Sequence, residues 1–350
     1  MSGFAAAARI LDNAVDAGVS PAAVAEVGTA SDCLWQHATG RLTYAADSPP
    51  ATVDTVFDLA SLTKVIATTT LAMRHIDAGL TPLELPVAAG LRTWRGTDRD
   101  RVTVRDLLEH ASGLTAHLPF YRDHVGRAEF EPAICRLPLE YEPRSQSVYS
   151  DLGFILLGFV LADRNPAGNE LPVQFDALAA WRGWGDLRYH PPAGWRPRIA
   201  PTEQDPWRGR TLVGEVHDEN AWALGGVAGH AGLFGTAAAV GRFARDVLAN
   251  ALGDGPLAAR ATFDSFRRRT NVPGSSRALG WDTMLPTSSC GTRLSPESIG
   301  HTGFTGTSLW IDPAADRYFV LLTNRVHPSR SNEAILPVRP AFHDAVAASG

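Results

Sequence analysis

Apolar positions recur with helical spacing from Phe4 to Ala17, close up into a short run at Ala22 to Val27, and reappear in Cys33 to Gly40, which ends on a turn-forming glycine. This pattern predicts a helix covering the edge of a sheet. After an extended run at Thr55 to Leu59, the segment Ser61 to Ala78 places Leu62, Val65, Ile66, Thr69, Ala72, Met73 and Ile76 on one helical face, and Gly79 supplies the stop. From about Leu80 to Gly226 the chain is rich in proline, glycine, arginine and tryptophan, with helical pieces at Val104 to His110 and Leu152 to Leu161; Thr103 and Asp106 form a capping pair for the first. Pro191 to Arg210, crowded with prolines, reads as a long surface loop.

Regularity returns at Thr236, a helix cap for a run through Ala249. Ser308 to Ile311 and Tyr318 to Thr323 read as strands joined by a turn at Asp312, Pro313 and Ala314, and a helix from about Pro340 to Ala348 closes the chain. The expected architecture is α/β of the α+β kind: an antiparallel sheet flanked by helices, built from residues 1–79 and 227–350, with residues 80–226 inserted as a mostly helical second lobe.

Composition narrows the function more than the fold. A formal charge of −5 over 350 residues, with no basic block, gives no reason to expect a nucleic-acid groove or a membrane surface. No apolar stretch reaches spanning length, and the amino-terminal residues lack a basic, then apolar, then small-residue leader, so a cytoplasmic protein is expected. The three widely spaced cysteines, Cys33, Cys135 and Cys290, suit neither a disulfide framework nor a metal site. Nothing in the pattern speaks to oligomeric state.

One compositional detail carries chemistry. Of 32 basic residues, 31 are arginine and the single lysine is Lys64. A guanidinium keeps its proton near neutral pH, whereas a buried ammonium can release one, so a lone surviving lysine points to a place where a proton must move. Lys64 closes the sequence Ser61-Leu62-Thr63-Lys64. Three residues apart on a helix are neighbours, so the hydroxyl and the amine can meet, and a lysine desolvated in a cleft is expected to lose enough basicity to activate the serine. The helix start adds backbone N–H groups that favour developing negative charge.

Five ordered segments carry a family likeness: Phe57 to Lys64, Val102 to Leu114, Val148 to Gly158, Gly225 to Phe243, and Ile299 to Asp312. Together they resemble the superfamily of class C β-lactamases and penicillin-binding proteins, with its S-x-x-K, its tyrosine-centred second motif and its K-T-G or H-x-G third motif. The resemblance implies Ser61 as nucleophile, Lys64 as its partner, and Tyr149 of Tyr149-Ser150-Asp151 as the phenolic acid/base. It implies that His301, Thr302 and Gly303 line the substrate, and that the backbone N–H groups of Ser61 and Phe304 form the oxyanion hole.

Two departures bear on substrate. His301 stands where the family's lysine binds a substrate carboxylate, and Asp151 stands for the second motif's asparagine, so Asp151 and His301 both disfavour an anionic antibiotic. An esterase or peptidase working through an acyl-enzyme on a small molecule or short peptide is therefore expected, with no cofactor and no metal. The alternatives are a D-Ala-D-Ala carboxypeptidase, a weak β-lactamase, or a non-catalytic sensor that acylates without turnover; an intact Ser61, Lys64 and Tyr149 argue against the sensor. Gly226, Gly229 and Gly232 lack the spacing of a phosphate loop and suit tight turns. His217-Asp218-Glu219 has the composition of a metal cluster but the adjacency of a capping or solvated stretch. His110 and His117 can equally line the cleft or be structural.

Overall fold

The computed structural model describes residues 3–253 and 255–349. A six-stranded sheet runs in the order Cys33–Gly40, Ala22–Gly28, Arg317–Thr323, Ser308–Asp312, Ile299–Thr302, Asp282–Thr283, and each neighbouring pair is antiparallel. Both chain ends thus contribute to one sheet. Residues alternate between its faces, and both faces are covered. Val24, Val320 and Leu322 pack against Val240, Phe243 and Ala244 of the helix Ala237–Leu252. Ala25, Val27, Phe319 and Leu321 pack instead against Ala7 and Leu11 of the helix Ala5–Asp16 and Phe342 of the helix Ile335–Ala347. Burial on both sides explains why the first strand reads as a continuous apolar run rather than an alternating one. Its one charged member, Glu26, is fully buried and accepts from Tyr318 Oη at 2.6 Å and Gln36 Nε2 at 2.7 Å.

The chain is a mixed α/β protein with an antiparallel sheet and flanking helices, as expected. Its middle holds the helices Val104–Leu108, Arg127–Cys135, Asp151–Asp163 and Leu171–Arg182. Asp106 accepts from the Thr103 backbone at 2.8 Å, completing the expected cap, and Ser150 caps the third helix by accepting from Gly153 N at 3.2 Å. The second and fourth helices have no counterpart in the sequence reading. Pro132 lies inside one and Pro172 in the first turn of the other, so breakers hid them.

Other differences have local causes. Pro191 to Arg210 is not one loop but a 3₁₀ turn at Ala193–Arg198 followed by a two-stranded ribbon, Gln204–Asp205 against Arg210–Thr211. The closing helix begins at Ile335, and Pro340 sits inside it rather than at its start. A three-stranded sheet absent from the sequence reading joins Phe57–Asp58 and Leu187–Tyr189 to Leu233–Gly235. It ties the segment before Ser61 to the middle of the chain, and the largest apolar cluster runs through both regions, from Val24 to Phe154 and Phe243.

Candidate active site

Asp58 ends its short strand, and the chain then turns through Ala60, whose φ of +46° is left-handed. A residue with a Cβ adopts that conformation at a cost of about 1–2 kcal/mol, so the surroundings must hold it. The next residue is Ser61. The helix expected over Ser61 to Ala78 is present but not uniform. Its first turn is tight, with Thr63 N and Lys64 N donating to the carbonyls three residues back; Lys64–Thr69 is then π-wound, and Thr70–Asp77 is α-helical. Such widened turns concentrate at functional sites.

Lys64 Nζ lies 3.0 Å from Ser61 Oγ, 3.1 Å from the carbonyl of His230 and 2.7 Å from Asp151 Oδ1, with no exposed side-chain surface. The amine also stands 4.8 Å from the centre of the Tyr149 ring, and the phenol interacts with both Ser61 and Lys64. Three separate segments therefore converge on the Lys64 amine: the serine helix, the start of the helix Asp151–Asp163, and the wall at His230. That wall is pinned by a close backbone crossing. A Cβ on Gly229 would fall 2.0 Å from the Phe154 carbonyl, and one on Gly158 would meet Gly229 Cα at 3.2 Å, while Thr68 Oγ1 donates to Gly229 O at 2.7 Å. Glycine at 229 lets the His230 carbonyl reach the amine.

Charge departs from the expectation of a basicity-weakened lysine. Burial disfavours the ammonium, but Asp151 and then Tyr149 outweigh it, and the Lys64 pKa is raised. Asp151, expected to face substrate, lines the cleft but is engaged by the amine. Burial also pushes the Tyr149 phenol up, with Lys64 opposing and Asp151 adding to the rise. The resting site thus holds a charged lysine and a neutral tyrosine.

The opposite wall is the edge of the large sheet. His301, Thr302 and Gly303 all line a cleft of about 640 Å³ together with Ser61, Tyr149, Asp151 and Phe304. Burial, reinforced by Arg277 and Lys64, drives His301 well below the ordinary histidine range, so it is neutral. Its Nδ1 lies 2.8 Å from the Thr302 carbonyl and must carry the proton, which leaves Nε2 as a bare acceptor. Behind Tyr149 lies His110, buried, with ring centres 4.7 Å apart; its Nδ1 accepts from Ser150 N at 3.0 Å. His110 is structural support for the phenol, while His117, with Nδ1 3.9 Å from Asp151 Oδ2, lines the cleft. The N–H groups of Ser61 and Phe304 have no acceptor among the described residues, as an oxyanion hole requires.

The three consecutive residues with metal-like composition go to three different partners. His217 Nε2 meets Glu203 at 2.9 Å, Asp218 meets His230 Nε2 at 2.9 Å, and Glu219 meets Arg330 at 2.7 Å. Despite burial, His217 and Arg330 hold the Glu203 carboxyl down to about 2. Sequence reasoning missed one residue of consequence. Arg277 lines the cleft with its guanidinium 5.1 Å from the centre of the Tyr149 ring, and it makes no ion pair or side-chain hydrogen bond among the described residues. No motif marks it, because it sits in an irregular segment before the strand Ile299–Thr302.

Comparison with known proteins fits this geometry. The family described as Beta-lactamase matches residues 8–339. The chain belongs to the β-lactamase family. A putative D-alanyl-D-alanine carboxypeptidase from Salmonella gallinarum is 31% identical over 321 residues, covering 82% of this chain and 73% of its own. Among solved structures, EstCE1, a hydrolase with promiscuous acyltransferase activity, superposes with a TM-score of 0.75 at 22% identity over 97% of each chain. A class C β-lactamase from Rhodobacter sphaeroides gives 0.73 at 21% identity, covering 97% of this chain and 98% of its own. The chain is a β-lactamase-family serine hydrolase, and the structural likenesses establish the shared fold.

Proposed function

We propose that Ser61 is the nucleophile of an acyl-enzyme cycle on ester or amide bonds. The observation that carries this reading is the 3.0 Å contact between Lys64 Nζ and Ser61 Oγ, with the Tyr149 phenol facing both. In the reactive state the Lys64–Tyr149 pair is one proton poorer than at rest. It takes the Ser61 proton as Oγ bonds to the carbonyl carbon, the carbonyl oxygen collects charge between the N–H groups of Ser61 and Phe304, and the proton passes to the departing oxygen or nitrogen. Water then repeats the sequence in reverse and frees the acid. Asp151 keeps the amine charged at rest, so substrates with good leaving groups, esters foremost, need least help. Thr302 and Gly303 offer substrate the edge of the sheet strand, and His301 offers an acceptor rather than a charge.

The test is p-nitrophenyl acetate turnover with mass spectrometry of the trapped intermediate. An acyl mass on the Ser61 peptide, lost together with turnover in Ser61→Ala, is expected. Turnover that survives both Ser61→Ala and Lys64→Arg would refute the mechanism.

A second reading, carboxypeptidase action on a peptide ending in D-Ala-D-Ala, rests on Arg277. A cation with no counter-ion among the described residues, beside the phenol, suits a terminal carboxylate on the leaving group, and the relatives are named putative D-alanyl-D-alanine carboxypeptidases. Such an enzyme would have to reach cell-wall peptide. Release of D-alanine from an acyl-D-Ala-D-Ala peptide, reduced tenfold or more in Arg277→Gln, would support it; absence of release by wild type would leave the ester reading alone.

A further inference from the structure

The two amides that receive the carbonyl oxygen belong to separate parts of the chain, one at the start of the serine helix and one just after the strand Ile299–Thr302. An oxyanion hole works only when its donors are held within about 0.5 Å of their productive places. Neither amide lies inside a regular element that would fix it. Several contacts outside the reacting groups join the two segments instead. Gly303 N donates to Thr307 O at 2.8 Å and Gly306 N to Gly303 O at 3.0 Å, folding residues 303–307 into a tight loop around Phe304. From that loop, Thr305 Oγ1 donates to the Asp58 carbonyl at 2.8 Å and Thr307 Oγ1 to the Leu59 carbonyl at 3.2 Å. Both hydroxyls are buried; a valine at 305 would leave the Asp58 carbonyl without a donor among the described residues, whereas the Leu59 carbonyl would keep its bond from Leu62 N at 3.0 Å.

The Asp58 carboxylate completes the link. It is 2% exposed, makes no ion pair among the described residues, and accepts from two backbone groups: Oδ1 from Ala60 N at 2.8 Å and Oδ2 from His217 N at 2.7 Å. The first bond clamps the left-handed residue that presents Ser61. The second fixes His217, whose ring stacks on Phe304 with centres 5.6 Å apart and 22° between planes. Burial outweighs these bonds and raises the carboxyl's pKa, so this placement is costly for the charged form.

We propose that Thr305 and Asp58 are positioning residues that brace the Ser61 and Phe304 amides at the separation the tetrahedral oxygen requires. This rests on the reading of those amides as the oxyanion hole. The experiment compares Thr305→Val, Thr305→Ser and Asp58→Asn with wild type in p-nitrophenyl acetate kinetics and in phenylboronic acid affinity, because a boronate bonded to Ser61 Oγ places an oxygen in the hole. Thr305→Val should lose about 10- to 30-fold in kcat with KM within twofold, and phenylboronic acid should weaken by the same factor. Thr305→Ser, keeping the hydroxyl, should recover most of both. Asp58→Asn, which turns one acceptor into a donor facing an N–H, should reproduce the Thr305→Val loss and serves if that variant does not fold. Folded variants that bind phenylboronic acid like wild type, or that lose KM and kcat alike, would overturn the brace while wild-type turnover stands. A wild type that neither turns over ester nor takes boronate at Ser61 would remove the hole itself, and the brace with it.

Discussion

The two walls of the cleft solve opposite problems. On the serine side, Ser61, Lys64, Tyr149 and Asp151 are crowded and mutually committed: each residue has a partner within the cluster, and a buried ammonium is paired there with a half-buried carboxylate. On the sheet side the groups are uncommitted, with a neutral His301, a bare Nε2 and a guanidinium at Arg277 that has no counter-ion among the described residues. The commitment of one wall suits moving a proton over short distances. The openness of the other suits binding something brought from outside, since an unpaired cation beside a pocket gains most when an anion arrives.

Ablating the committed wall should have the largest effect. Ser61→Ala and Lys64→Arg should each lower kcat/KM for p-nitrophenyl acetate by about 10³-fold or more, and the double variant should lose little beyond the worse single one, because the residues act as a unit. Next comes the uncommitted wall. Arg277→Gln should cost about 10- to 100-fold on a substrate whose leaving group bears a carboxylate and less than about threefold on a neutral ester. Equal losses on both would merge the two walls into one machine.

The charge pair gives a prediction with a definite sign. Asp151 raises the Lys64 pKa, so the proton-poor form needed for attack accumulates only as pH rises, and activity should show an acid limb. Asp151→Asn removes the largest raising influence, lowers the Lys64 pKa, and should move that limb to lower pH. An unmoved limb in the pH profile of kcat would place the controlling proton elsewhere. The smallest effect is expected at His301. Its imidazole is neutral, and among the described residues its one hydrogen bond is to its own strand's carbonyl, so His301→Asn should change ester kcat/KM by only about two- to fivefold.

The same contrast explains what could be read from the chain beforehand. The Ser61 and Lys64 pairing is local, fixed by helical spacing, and the Thr103 with Asp106 cap and the two amino-terminal strands are local too. The resemblance supplied Tyr149 and His301. What escaped depends on distant segments meeting: the charge on Lys64 is set by Asp151, and Arg277 acquires meaning only when an irregular segment folds back over the Tyr149 ring. The π-wound stretch at Lys64–Thr69 escaped for a related reason. Nothing in the spacing of its residues marks a widened turn, and contacts such as Thr68 to Gly229 come from outside the helix.

The crossing at Gly229 ties catalysis to architecture. Because the backbone there touches the helix carrying Asp151, two of the oxygens around the Lys64 amine, the His230 carbonyl and the Asp151 carboxylate, are set by one spacing between that segment and the helix. A single methyl group at position 229 would pry both from the amine together. The proton affinity of the only lysine in the chain is thus tuned by how closely two stretches of main chain lie against each other, and mutational drift in that seam would retune it without touching a reacting group.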